Sequence, residues 1–114
     1  GRRRRPPRST SFPYTTLFRS IRAALGDATD HIPVSSPKSM VGHLIAAAGA
    51  LAGMVCLLAM RDGTIPPTIN LANPDPECDL DHVALTARHA DPSTAIANAF
   101  GFGGQNCVVA FRRA

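Results

Sequence analysis

The pattern of hydrophobic and polar positions is dominated by one stretch, Leu44–Met60 (LIAAAGALAGMVCLLAM), seventeen residues without a charge or a proline. Alanine, leucine and methionine are strong helix formers, so the stretch predicts a helix starting near Gly42-His43. Its stop is written in Arg61-Asp62-Gly63, a cation in the last turn and then a glycine suited to a left-handed closing residue, with Pro66-Pro67 beyond. No polar face runs along it, which places the helix either inside protein or in a membrane. Seventeen residues reach the lower edge of a membrane span, and Gly49 and Gly53 form a GxxxG pair. Eight of the seventeen are Ala or Gly, however, and these supply little apolar transfer energy. The expectation is a buried helix, with no membrane span, whose small residues let a neighbouring element approach. A small membrane-anchored protein built on residues 44–60 is the alternative.

Around this helix the pattern predicts an α/β order. Ile21–Leu25 is a short helical piece ended by Gly26, and His31–Ser36 is a strand running into a polar loop. Strand, loop and buried helix in that order are the α/β signature, and ligands bind at loops on the carboxyl ends of such strands. Ser35–His43 is therefore the candidate site. Residues 62–81 contain four prolines and predict an extended excursion without regular structure, long enough to run over something larger than the chain itself. Residues 82–89 predict a strand with Val83 and Leu85 on one face. Ala95–Phe100 and Asn106–Phe111 predict a terminal hairpin about the glycine-rich turn Gly101-Phe102-Gly103-Gly104-Gln105.

Charge changes the picture only once it is located. The chain of 114 residues has a net charge of +4, but six of its twelve basic residues lie in residues 1–20, which hold no acid. From Ile21 onward six basic residues face eight acidic ones, a net of −2, so the domain is not a polyanion binder and no nucleic-acid partner is expected. Residues 1–20 read as a basic tail, and the string PRSTSFPYTTLFRS resembles a translated sequencing-library adapter. The expected division is a disordered or adapter-derived tail at 1–20 and a domain segment at 21–114. A nucleic-acid-binding arm is the rival reading of the tail. Cys56, Cys78 and Cys107 are odd in number and without CxxC spacing, which indicates neither a metal site nor a disulfide framework and points to a reducing, cytoplasmic setting.

Lys38 and His43 carry the candidate chemistry. A histidine at a helix amino terminus is kept neutral by the helix dipole, and a neutral imidazole N–H is a donor to a carbonyl becoming an enolate. Lys38 adds a cation nearby. SSPKSMVGHLIAAAGAL, RDGTIPPTINLANPDPECDLD and NAFGFGGQN, in this order, closely resemble the carboxyl-terminal part of the β-ketoacyl-acyl carrier protein synthases, condensing enzymes of the thiolase fold. The likeness is greatest to the elongating ketosynthase of bacterial type II fatty acid synthesis, with polyketide ketosynthase subunits next.

The resemblance implies an incomplete thiolase-like α/β domain and a decarboxylative Claisen condensation of an acyl thioester with malonyl-acyl carrier protein, needing no metal or cofactor. It implies that Lys38 supports the charge arrangement of the pocket and that His43 donates to the malonyl thioester carbonyl. Gly101, Gly103 and Gly104 would form the turn beside the nucleophile, with the Phe102 N–H completing an oxyanion hole and its ring gating the acyl pocket. The implied partners are acyl carrier protein and acyl and malonyl thioesters, in a parent homodimer. The family's nucleophilic cysteine has no counterpart here: Cys56 lies roughly 20 Å along the helix from His43 at about 1.5 Å per residue, and Cys107 follows the glycine turn on a strand. The chain by itself is therefore expected to be inactive. A non-catalytic chain-length partner subunit is disfavoured by the presence of both Lys38 and His43.

Overall fold

The computed structural model describes residues 15–114, which fall into two compact units. Among the described residues one comprises 15–33 together with Pro74–Asp81; the other comprises Val34–Asn73 and His82–Ala114.

In the first unit helix α1 spans Thr15–Leu25 and passes into a 3-10 turn at Gly26–His31. Gly26, at φ +60, takes the left-handed conformation that ends an α-helix. The helix begins inside the stretch set aside as a tail, because Leu17, Phe18 and Ile21 continue the apolar spacing of the predicted Ile21–Leu25 piece backwards. Residues 1–14, the rest of that stretch, lie outside the described residues. Arg22 holds the unit together, its guanidinium 3.1 Å from the Asp30 carboxylate and 3.3 Å from that of Asp79. Thr29, almost fully buried, satisfies its hydroxyl on the Gly26 carbonyl.

The second unit carries the long helix and the hairpin. Strand β1 is Pro33–Val34, followed by a single helical turn α2 (Lys38–Val41), a 3-10 turn at Ile45–Ala47 and helix α3 (Ala48–Asp62). The long helix thus begins later than predicted, because Gly42 at φ +76 and Ile45 at φ +53 break the helical path twice. Its end falls where the sequence places it: Gly63, left-handed, closes it with an N–H to the Ala59 carbonyl. The strand expected at 31–36 is shortened to β1, since His31 belongs to the 3-10 turn and the Ser35 and Ser36 polar groups are used in side-chain bonds.

Beyond α3, β2 (Thr64–Ile65) pairs antiparallel with β4 (Arg88–His89), and Thr68 bridges Ala84 in parallel fashion. The excursion at 62–81 is therefore irregular only in part. The single strand expected at 82–89 is divided into β3 (Asp81–His82) and β4, because Leu85 at φ +64 turns the chain. Val83 is 1% exposed and Leu85 is 52% exposed, so they do not share a buried face. Strands β5 (Thr94–Gly101) and β6 (Gln105–Arg112) form the terminal hairpin, in register from Thr94 opposite Arg112 to Gly101 opposite Gln105.

Helix α3 packs on this hairpin through its glycines. A Cβ at Gly49 would lie 3.3 Å from the Ala99 Cβ, and one at Gly53 would lie 3.4 Å from the Phe111 ring. The GxxxG pair is thus a landing strip for β5 and β6. Arg113 secures the far end, donating to the Met60 carbonyl and pairing with Asp91 at 2.8 Å. Only Ala59 and Met60 of the helix are buried, while Met54, Leu57 and Leu58 are exposed. Burial is one-sided, so a helix with no polar face keeps an uncovered apolar flank. By length and composition alone Ile45–Asp62 is also long and apolar enough to cross a membrane.

Candidate active site

The site loop is shaped by its own residues. Pro37, fixed near φ −66, opens α2, and its carbonyl receives the N–H groups of Met40 and Val41. Gly42 then closes the turn with an N–H to the Lys38 carbonyl at 2.9 Å. Lys38, the first residue of this turn, and His43, just after it, are both exposed.

The His43 ring is oriented by the backbone just after it. The Ile45 N–H donates to Nδ1 at 3.0 Å, which in the neutral ring leaves the proton on Nε2. The helix dipole is not what prepares this histidine, since α3 starts at Ala48 and the effect of a dipole fades within its first turn. The amide that does so belongs to a β-branched residue at φ +53, a conformation that costs on the order of 1–3 kcal/mol. Ile45 is 82% exposed, so no burial of its own side chain compensates for that strain. The local result is a donor N–H at Nε2 that points away from its own backbone contact.

The glycine turn lies at the same end of α3. Gly49, in the first turn of the helix, meets Ala99, two residues before Gly101, whereas Gly53 meets Phe111 near the open end of the hairpin. This register brings the tip of the hairpin and the His43 loop to the amino-terminal end of α3. Gly103 and Gly104 adopt φ +85 and +80 with nothing within 4 Å of a built Cβ, so backbone conformation and not space requires glycine there. Phe102, at 101% relative exposure, has its ring free of the other described residues.

None of the three cysteines forms a disulfide. Burial in α3 pushes the Cys56 thiol up, and at Cys78 burial followed by the charges of Asp75, Glu77 and Asp79 does the same. Thiols held protonated are poor nucleophiles. Among the described residues no group of His, Cys, Asp and Glu is disposed to hold a metal ion.

What sequence reasoning missed is the seam behind the loop. The Ser35 hydroxyl donates to the Pro66 carbonyl at 2.5 Å, the Ser36 N–H to Thr68 Oγ1 at 2.9 Å, and the Ile69 N–H to the Ser39 hydroxyl at 3.0 Å. The prolines signal only its first bond: without an N–H, Pro66 can take part through its carbonyl alone, which accepts the Ser35 hydroxyl.

Comparison with known proteins follows the same outline. The sequence profile of the beta-ketoacyl synthase C-terminal domain matches residues 15–72. The 3-oxoacyl-[acyl-carrier-protein] synthase 2 of Synechocystis is 46% identical over 98 residues, and that of Coxiella burnetii 50% over 95. These matches cover 86% and 83% of this chain, which spans only 24% and 23% of the two relatives. Among solved structures, the ishigamide ketosynthase/chain length factor superimposes with a TM-score of 0.82 at 38% identity, over 88% of this chain and 24% of the other. A type II polyketide acyl-carrier protein in complex with its ketosynthase bound to the hexaketide gives the same TM-score at 35% identity, over 86% of this chain and 24% of that one.

Proposed function

This chain belongs to the beta-ketoacyl synthase family through its C-terminal, thiolase-like domain, and from that premise we propose that it supplies the decarboxylating half of a β-ketoacyl-acyl carrier protein synthase. The observation that carries the reading is the His43 ring, whose Nδ1 is occupied by the Ile45 N–H and whose Nε2–H is therefore the donor. A malonyl thioester placed with its carbonyl on Nε2–H loses carbon dioxide as the bond to the carboxylate breaks, and the electron pair collects on the thioester oxygen as an enolate. A fixed donor stabilises that developing charge more than it stabilises the ground-state carbonyl. Lys38 adds positive charge on the same loop.

The enolate carbon then attacks the carbonyl of an acyl group held as a thioester, a new carbon–carbon bond forms, and the thiolate departs. The Phe102 N–H, with Gly101, Gly103 and Gly104 shaping the turn, holds the oxyanion of that step, and the exposed Phe102 ring gates the acyl chain. The acylated cysteine belongs to a part of the full-length protein outside residues 21–114, and this chain alone is inactive. Carrier-bound acyl and malonyl thioesters are the substrates of a cytoplasmic homodimer in which α3 is a core helix and not a membrane span; the contact of Gly49 and Gly53 with the hairpin supports that.

The relatives named 3-oxoacyl-[acyl-carrier-protein] synthase 2 favour fatty acid elongation, and the type II polyketide complex of a ketosynthase with its acyl-carrier protein favours the second reading, a polyketide subunit. Incubating the full-length protein with an acyl thioester and malonyl-acyl carrier protein separates them. Elongation gives a β-ketoacyl product two carbons longer with one carbon dioxide released per product; a poly-β-keto chain indicates the polyketide reading, and neither product rejects both.

A further inference from the structure

We propose that Ser39 is a positioning residue for Lys38 and His43, acting through the seam between residues 35–39 and 66–69; the proposal rests on the decarboxylating role given above. The turn that carries Lys38 has four residues and no side-chain cap, too little helix to hold an orientation unaided. Its placement depends on what it is tied to.

The tie begins in the most buried part of the unit. The Thr68 N–H donates to the Val83 carbonyl at 2.7 Å, the Leu85 N–H returns to the Thr68 carbonyl at 3.1 Å, and the Val83 N–H reaches the Val34 carbonyl at 2.9 Å. Residues 66–69 are thus fixed from one side by backbone pairing around the buried Val83. Their other side meets the site loop through three hydroxyls, those of Ser35, Thr68 and Ser39.

Ser39 differs from the other two in being used twice. It donates to the Ser36 carbonyl at 2.9 Å and accepts the Ile69 N–H at 3.0 Å, so one oxygen closes the loop on itself and fastens it to the seam. It directly follows Lys38 and is part of the same turn that leads through Gly42 to His43. Ser39→Ala removes both bonds but leaves Ser35 on Pro66, Ser36 on Thr68 and the Thr68–Val83 pairing in place. The segment stays folded while the turn loses its register, and a misplacement of about 1 Å at reacting groups costs up to about a hundredfold in rate.

The test uses the full-length protein and reads its half-reactions separately: carbon dioxide release from malonyl-acyl carrier protein, acyl transfer onto the nucleophilic cysteine, and the unfolding midpoint. Ser39→Ala is expected to lower kcat for decarboxylation about tenfold, with KM for the malonyl thioester and the acyl-transfer rate within about twofold of the parent. Ser39→Thr, which keeps the hydroxyl, restores most of the loss. Thr68→Val, which removes the acceptor of the Ser36 N–H, follows Ser39→Ala in direction and carries the comparison if that variant does not fold. An unchanged decarboxylation rate overturns the proposal. So does an equal fall in both half-reactions that tracks the unfolding midpoint, or a failure of threonine to rescue. His43→Ala, assayed alongside, separates the two levels: if it abolishes decarboxylation while Ser39→Ala does not lower it, only the role of Ser39 falls. If His43→Ala also leaves the rate intact, the decarboxylating role falls and Ser39 with it.

Discussion

Replacing His43 by alanine in the full-length protein lowers carbon dioxide release from malonyl-acyl carrier protein by about 10²–10³-fold, the range for loss of one oxyanion donor. The magnitude follows from where the charge goes. Decarboxylation concentrates an electron pair on the thioester oxygen, and the Nε2–H of a ring held at Nδ1 by the Ile45 N–H is already directed when that charge appears. Water replacing the imidazole must reorganise first. The loss appears in kcat with little change in KM, because the donor matters most in the transition state. His43→Gln, whose amide nitrogen reaches about as far as Nε2, retains more activity than alanine. Equal rates for all three proteins, measured as carbon dioxide released per minute, contradict this role.

The second large effect concerns the tip of the hairpin. Gly103→Ala and Gly104→Ala together are expected to cost about 2–4 kcal/mol, since each puts a Cβ on a left-handed backbone at about 1–2 kcal/mol per residue. Their φ values of +85 and +80 sit in open space, so the penalty is conformational. Asparagine, which tolerates left-handed backbone, is therefore milder than alanine at either position, although it is larger. A clash mechanism reverses that order. Because the register from Thr94 to Arg112 runs into this turn, the strain is relieved by displacing Phe102, and acyl transfer falls with stability. Denaturant midpoints and acyl-transfer rates for the four single variants decide between the two orders.

The parts of the fold that local chemistry dictates were legible in the sequence. Gly63 behind Arg61 and Asp62 marked the end of α3, and the glycines around Phe102 marked the hairpin, because left-handed backbone restricts which residues can stand there. The start of α3 was not legible. Leu44, Ile45, Ala46 and Ala47 have good helix propensity, yet the chain turns at Ile45 against the preference of a β-branched residue and directs its amide to His43. Local preference yields there to the bond between the Ile45 N–H and the His43 ring. The division of 82–89 has a similar cause, Leu85 being turned outward so that its N–H can pair with Thr68. The seam through Ser35, Ser36 and Ser39 could not be read from spacing, because it joins residues about thirty positions apart. Lys38 and His43 are proposed from their types and setting, whereas the bond from the Ile45 N–H to the His43 Nδ1 is visible only in the geometry.

The uncovered flank of α3, with Met54, Leu57 and Leu58 exposed, accords with a chain that spans about a quarter of its curated relatives. The central claim is a division of labour in which this chain stabilises charge while another part of the protein carries the acyl group. Peptide mapping by mass spectrometry, after incubating the full-length protein with an acyl thioester, tests it most directly. The account predicts an acyl adduct on a cysteine outside residues 21–114, with Cys56, Cys78 and Cys107 unmodified. An adduct on any of those three contradicts it.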